Sequence, residues 1–358
     1  MPKYEATLTK AILRETDAAS KNDDKPLKGL KIVLNAGNGS GGFFGPILAD
    51  LGADMSASIH LEPDSAFPAG VPNPEYKPMM DATLKRCQET HADIGIMLDT
   101  DADRCGFIVP RVVNQDDGTR DQYEPLNRNR LIALLGTIFA STSENCTFVT
   151  DSVTSEGLET FLTSLGIDHV RFLKGYANVI GKARELTESG TANAEVAIET
   201  SGHCAMRENG YLDDGTYTAV KVVSLMANTR NDSGSLLDLI ADMSEMPIIE
   251  ELRMEAGSLA TTKSVFDLAV VTIEQAILAD TQTGWSLDTD NLEGIRVRTG
   301  NGGFFMLRKS LHDPIVSMQV EGVSKEEIRD TVVRPLFEMF ATEDAIRSHL
   351  ELSVLEEY

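Results

Sequence analysis

Residues 94–109, IGIMLDTDADRCGFIV, constrain the fold of this chain more than any other stretch. Two apolar runs of strand length, Ile94 to Leu98 and Cys105 to Val109, bracket Asp99, Asp101 and Asp103 at every second position, and Arg104 follows at once. Such a pattern reads as two strands joined by a short turn that must hold three carboxylates. Like charges this close repel and raise one another's pKa unless a cation neutralises them. With no His or Cys in the turn, the all-oxygen donor set favours a hard ion, Mg²⁺ before Ca²⁺. Three other readings compete. A solvated Asp-rich hairpin needs no ion. An EF-hand requires Gly at its sixth position and Glu at its twelfth, where this chain has Arg104 and Pro110, so that reading fails. A haloacid-dehalogenase-type phosphatase also places D-x-D after a buried strand and stays in competition.

The rest of the composition narrows the partners. The chain of 358 residues is long enough for two or three domains, and 42% hydrophobic with 25% charged residues is ordinary globular composition. A net charge of −24 argues against nucleic acid or an anionic membrane surface as partner. An anionic substrate must therefore be drawn by a few local basic groups. Cys87, Cys105, Cys146 and Cys204 are scattered without C-x-x-C or Cys/His spacing, which points to a reducing compartment and no zinc. No signal peptide or membrane span is evident, so a soluble protein is expected, cytoplasmic, or plastidic if a transit peptide has been lost.

Taken in order, residues 4–18 carry Tyr4, Leu8 and Ile12 at helical spacing and lead into a polar linker up to Pro26. Leu30 to Leu34 is a buried strand that runs into NAGNGSGGFFGPILADLGA. Gly37, Gly39 and Gly42 match G-x-G-x-x-G between strand and helix, with Glu62 placed where a dinucleotide fold keeps its ribose-binding acid. Pro63 and the loop FPAGVPNPE then break the pattern, and glycines that only permit a tight turn account for it better. Strand, helix, strand, proline loop, helix (Met79 to Thr90) and strand (Ala92 to Leu98) make an α/β domain over 27–125. The carboxylates fall at the C-terminal end of a strand, where open α/β sheets place ligands.

A second α/β domain is predicted over 126–247. Its last strand, Glu195 to Ile198, opens into ETSGHCAMRENGYLDDG. Glu199, Ser201 and His203 form a polar turn suited to vicinal hydroxyls, which both donate and accept hydrogen bonds. Asp213, Asp214 and Gly215 make a second turn, in which Asp214 reads equally well as a helix cap. Over 248–358 the pattern changes to a smaller α+β domain. It comprises a helix from Lys263 to Leu278, strands around the Gly300 to Gly303 turn, and helices at Glu326 to Phe340 and Glu343 to Leu350. Arg308, Lys309 and Ser310, with His312 close by, form the densest cationic and hydroxyl-bearing loop of the chain, a loop suited to phosphate.

Taken together, LKGLKIVLNAGNGSGG, the proline loop, DTDADR, TDSVTS, ETSGH with the following DDG, and the late basic loop resemble the α-D-phosphohexomutases, the phosphoglucomutase and phosphomannomutase superfamily. The resemblance runs from about Leu27 to the C-terminal region. It implies two consecutive α/β/α mixed-sheet domains plus a smaller C-terminal α+β domain. It implies Mg²⁺ on Asp99, Asp101 and Asp103, Arg104 at the reacting phosphoryl, and Glu199, Ser201 and His203 on the sugar. Arg308 and Ser310 would then hold the substrate's resident phosphate. In that family an enzyme phosphoserine gives its phosphoryl to a phosphorylated hexose, and the bisphosphate turns over and returns the other. No S-H-N-P-like segment occurs here, and residues 1–26 resemble the last helix and linker of a phosphoserine domain. The expectation is therefore domains two to four alone, inactive without a separate N-terminal domain or a full-length mutase as partner. A non-catalytic sugar-phosphate-binding protein is the alternative. Tyr176 stands where many members have His after a Gly; Lys174 is beside it, leaving Lys174 the candidate acid/base group.

Overall fold

The fold is given by a computed structural model that describes residues 1–18, 23–113, 120–229, 234–279, 284–310 and 313–358. It divides into two compact units. The first comprises Met1–Thr154, Leu158–Val170 and Gly175–Met243; the second comprises Ser155–Gly157, Arg171–Lys174 and Ser244–Tyr358.

The first unit opens with α1 (Pro2–Glu15), followed by β1 (Ile32–Asn35), α2 (Phe44–Asp50), α3 (Lys77–Thr90), β2 (Ile94–Leu98), β3 (Cys105–Val113) and β4 (Arg120–Leu126). These strands form a sheet in the order β1-β2-β3-β4, with β1 and β2 parallel and β3 antiparallel to β2. Strand periodicity explains how both faces are used: Ile32, Leu34, Ile94, Ile96 and Leu98 enter the main core, whereas Val33 and Met97 point to the opposite face and pack with Met79 and Cys87 of α3. The second strand expected before the proline loop is not formed. Residues 54–59 make only two isolated parallel bridges, Lys31 with Asp54 and Asn35 with Ile59. Polar and small residues there (DMSASI) offer no continuous apolar face to a sheet edge.

The chain repeats this plan with α4 (Arg128–Ala140), β5 (Cys146–Asp151), α5 (Glu156–Ser164), β6 (Asp168–Phe172), α6 (Tyr176–Glu188), β7 (Asn193–Ile198), β8 (Cys204–Met206) and α7 (Gly215–Thr229). The sheet order is β6-β5-β7-β8, with β5 and β7 parallel and β8 antiparallel to β7. The apolar side chains of α1, α2, α4 and α7 and the inner faces of both sheets belong to one continuous core. Helix α7 is buried from Gly215 through Ser224 and packs on α1. Lys221 of α7, also buried, places its ammonium 2.8 Å from Glu15 of α1 and 3.0 Å from Glu208.

The second unit is an antiparallel sheet of β9 (Ile248–Glu255), β10 (Ser286–Leu287), β11 (Ile295–Arg298), β12 (Phe304–Lys309) and β13 (Ile315–Gly322), in the order β10-β11-β12-β13-β9. One face is covered by α8 (Leu259–Leu278) and by the C-terminal helices. The helix expected over Glu326 to Phe340 is formed without a gap as α9 (Lys325–Ile328), a π turn (Arg329–Val333) and α10 (Arg334–Thr342). Pro335 explains the π turn, because it has no N–H to give to the carbonyl of Thr331. That carbonyl accepts from Trp285 Nε1 at 3.0 Å. The expected helix over Glu343 to Leu350 shortens to α11 (Asp344–Arg347), and α12 (Ser353–Glu356) ends the chain.

Arg296 of β11 is fully buried, 3.4 Å from the Phe304 ring centroid, with Glu156 at 2.9 Å and Asp288 at 3.2 Å. Arg171 and Arg298 share the same two carboxylates. Burial, with the neighbouring Arg171, pushes the Arg296 guanidinium down to about 10. Among the described residues no helix is long and apolar enough to cross a membrane. All four cysteines are buried and free.

Candidate functional site

Two turns of the first unit are built alike. Residues 99–104 join antiparallel β2 and β3, and residues 199–203 join antiparallel β7 and β8. The tips meet through an antiparallel bridge between Arg104 and His203, and the Cys105 N–H donates to the carbonyl of Gly202 at 3.4 Å. Two further backbone bonds dock the acidic turn: Ser40 N–H to the Thr100 carbonyl at 2.8 Å, and Gly215 N–H to the Ala102 carbonyl at 3.0 Å. Ala102 itself sits at φ +66, a strained conformation held by these neighbours.

Asp99, Asp101 and Asp103 each offer one oxygen within 4.8 Å of the others. Asp99 is buried, and both its oxygens are engaged by Arg104: the backbone N–H donates to Oδ1 at 3.1 Å and Nε to Oδ2 at 2.8 Å. Arg104 therefore fixes a carboxylate of the turn with the same guanidinium expected to meet a phosphoryl. Asp101 is exposed, and Asp103 is half-buried. Burial raises Asp103 to about 7, and the nearby Asp99 charge adds to it. Asp103 Oδ1 is a buried oxygen with no hydrogen-bond partner. Three clustered carboxylates, one with an orphaned oxygen, fit a hard divalent ion.

His203 Nδ1 lies 2.8 Å from Asp213 Oδ2 and 3.6 Å from Asp103 Oδ1. Burial acts to lower its pKa, but the hydrogen bond and charge of Asp213 hold it above the ordinary histidine value. Asp213 Oδ1 also accepts from the Cys204 N–H at 3.0 Å, so the carboxylate is fixed from two directions. The ring of Tyr176 stacks on His203 with centroids 5.0 Å apart. Glu199 is buried, and its Oε1 accepts from the Gly175 N–H at 2.6 Å. Ser201 Oγ is buried without a hydrogen-bond partner, a hydroxyl left available to a ligand.

Asp214 does cap a helix: it accepts from the Tyr217 N–H at 2.9 Å and also from Tyr4 at 2.6 Å. A cavity of about 280 Å³ is lined by Asp101, Asp103 and Asp213 together with Tyr4, Phe43 and Leu212. Sequence reading passed over Asp213 as an orienting group; the DDG turn was its only signal, and the residue it serves is ten positions away.

Lys174, Arg308 and Ser310 belong to the second unit. Lys174 donates its backbone N–H to Glu293 Oε2 at 3.0 Å. Arg308, near the end of β12, is largely buried and pairs with Glu251 at a long 3.4 Å. Its Nε is buried without a hydrogen-bond partner. Ser310 Oγ accepts from the Asp313 N–H at 3.1 Å, and the Ser310 N–H donates to the Ile315 carbonyl at 2.9 Å. His312 lies outside the described residues.

Residues 8–113 match the family described as phosphoglucomutase/phosphomannomutase, alpha/beta/alpha domain II, and residues 127–244 match domain III of the same family. The phosphoglucosamine mutase of Novosphingobium aromaticivorans is 27% identical over 318 residues, which cover 88% of this chain and 61% of that protein. A phosphoglucomutase/phosphomannomutase family protein of Burkholderia thailandensis has the same fold, with TM-score 0.70 at 22% identity over 93% of this chain and 64% of that one. An N-acetylphosphoglucosamine mutase of Aspergillus fumigatus, solved in complex with GlcNAc-6P and magnesium, shares the fold at TM-score 0.55 and 14% identity, over 93% of this chain and 69% of its own. The chain thus spans about 60% of the length of the curated relatives it matches. It belongs to the phosphoglucomutase/phosphomannomutase family.

Proposed function

We propose that this chain supplies the metal-binding and sugar-binding parts of a phosphohexomutase, an intramolecular phosphotransferase that interconverts hexose 1-phosphates and 6-phosphates through a bisphosphate. The observation that carries the reading is the joining of the acidic turn to the Glu199–His203 turn through the Arg104–His203 bridge. Phosphoryl transfer is mostly positioning and charge neutralisation, so a carboxylate cluster beside hydroxyl-binding groups is the equipment it needs. In this reading Asp99, Asp101 and Asp103 hold Mg²⁺, which when bound neutralises charge on the transferring phosphoryl. Arg104 orients Asp99 and adds positive charge. Glu199 and Ser201 bind sugar hydroxyls, and His203, held by Asp213, is placed to move a proton at the reacting oxygen. Arg308 and Ser310 bind the phosphate that stays on the sugar, with Arg308 Nε the unsatisfied donor. Lys174 is kept as a second candidate for proton transfer.

The 358 residues hold no S-H-N-P-like segment, so assayed by themselves they are assigned binding without turnover. The alternative reading is a non-catalytic sugar-phosphate-binding protein that acts through a partner. Calorimetric titration with glucose 1,6-bisphosphate in Mg²⁺ tests the site: the chain binds, and the Arg308→Ala/Ser310→Ala double variant does not. Equal binding by both would remove those two residues from the site. Adding a separate phosphoserine domain from a relative then distinguishes the readings, because it restores mutase activity in an enzyme and has no effect on a binder.

A further inference from the structure

The glycine-rich loop after β1 satisfies a dinucleotide fingerprint by spelling, but its glycines have different tasks. Gly37 has φ +55, a conformation that favours glycine. Gly39 has φ −84 and ψ −162, an extended backbone that any residue adopts. Nothing in its own conformation asks for glycine. What does is the space: a Cβ at Gly39 would lie 2.7 Å from the Thr100 carbonyl oxygen, 2.9 Å from the Asp99 carbonyl oxygen and 2.9 Å from Thr100 Cα. Gly215, the first residue of α7, repeats this from the other end of the turn. Its φ is not positive, and its Cβ would lie 2.6 Å, 2.7 Å and 2.9 Å from the carbonyl carbon, oxygen and nitrogen of Arg104. Every one of these is a backbone atom of the acidic turn, and each distance is shorter than real Cβ contacts allow. Both glycines also sit beside the two backbone bonds that dock the turn, from Ser40 to Thr100 and from Gly215 to Ala102.

We propose that Gly39 and Gly215 are positioning residues for the metal ligands: they form a two-sided seat that brings the 99–104 backbone close enough for Asp99, Asp101 and Asp103 to converge. The proposal rests on the reading of those carboxylates as metal ligands. A methyl group at either glycine pushes the turn outward from one end and spreads the oxygens, and small displacements of a ligand set weaken a metal site before they weaken a core. The functional reason for G-x-G in this loop is then close approach of protein backbone, where a dinucleotide fold uses it for close approach of a pyrophosphate.

The test compares Gly39→Ala and Gly215→Ala with Gly181→Ala, a helical glycine in α6 whose added Cβ meets nothing within 4 Å. Mg²⁺ binding is followed by calorimetry, and metal-free thermal unfolding and an amide ¹⁵N spectrum are recorded for each variant. The expected result is an affinity about tenfold or more weaker in both seat variants, unchanged affinity in Gly181→Ala, and amide shifts concentrated in 99–104. Wild-type protein that binds no Mg²⁺ would defeat the metal reading itself. Wild-type binding with equally tight binding by both seat variants would overturn only the seat. If one variant fails to fold, the other carries the test, because the two press on opposite ends of the turn. Failure of both to fold would place the glycines' role in the fold and would also overturn the proposal.

Discussion

The Asp99–Arg104 turn and the Arg308–Ser310 strand end are both proposed to meet a phosphorylated sugar, and their charged side chains are held differently. The acidic turn is fastened by backbone. It has a bridge to His203, bonds from Ser40 and Gly215, and a carboxylate, Asp99, clamped through two oxygens by its own neighbour Arg104. The basic strand end is held by the β12–β13 ladder and by the Ser310 N–H donating to the Ile315 carbonyl at 2.9 Å, while the Arg308 guanidinium pairs with Glu251 at a long 3.4 Å. Like charges have to be forced together, so the turn that holds them needs many fixed contacts. A guanidinium that waits for an anion needs few charged side-chain partners, because its partner arrives with the ligand. The first region is therefore expected to be coupled to folding, and the second to binding alone.

Substitution separates the two most sharply. Asp99→Asn removes the charge that pairs with Arg104 inside a buried site. It is expected to lower stability by roughly 2–4 kcal/mol and abolish measurable Mg²⁺ binding. Arg308→Ala is expected to shift stability by less than about 1 kcal/mol while weakening sugar bisphosphate at least about tenfold. Urea unfolding and calorimetry on the same two proteins check both halves. A destabilised Arg308→Ala or a metal-binding Asp99→Asn would erase the contrast.

A smaller effect follows from Asp103, which burial and Asp99 raise to about 7. A carboxylate whose folded pKa lies above its unfolded value favours the fold while protonated. The metal-free protein is thus expected to lose that contribution as pH rises from about 4 to the folded value of about 7. Mg²⁺ requires the ionised form, so its affinity should rise with pH and level off above about 7, with proton release on binding at lower pH. Calorimetry in two buffers of different ionisation enthalpy measures the proton count. An affinity flat from pH 5.5 to 8 would remove Asp103 from the ligand set.

The acidic turn was legible because its signal is local: two apolar runs and alternating carboxylates within sixteen residues. The same holds for the ETSGH turn and for most helices and strands, whose periodicity sits inside each element. What escaped the sequence is long-range. Arg296 is buried in company with Asp288 and with Glu156, which lies far earlier in the chain, a pairing that no local pattern carries. Asp213 reads as a turn residue until the fold lays it against His203. The strand expected before the proline loop is reduced to isolated bridges, because the residues there have no apolar face behind them. The G-x-G-x-x-G spelling is ambiguous for a different reason: glycine reports that something comes close, and only the fold shows that it is Thr100 and Asp99.

The central claim is that the acidic turn and the Glu199–His203 turn act as one preorganised site. An amide ¹⁵N titration with Mg²⁺ tests it most directly. The account predicts that the resonances of Asp101 and Asp103 and those of Gly202, His203 and Gly215 shift together, along one binding curve. Shifts confined to 99–104, or none at all, would contradict it.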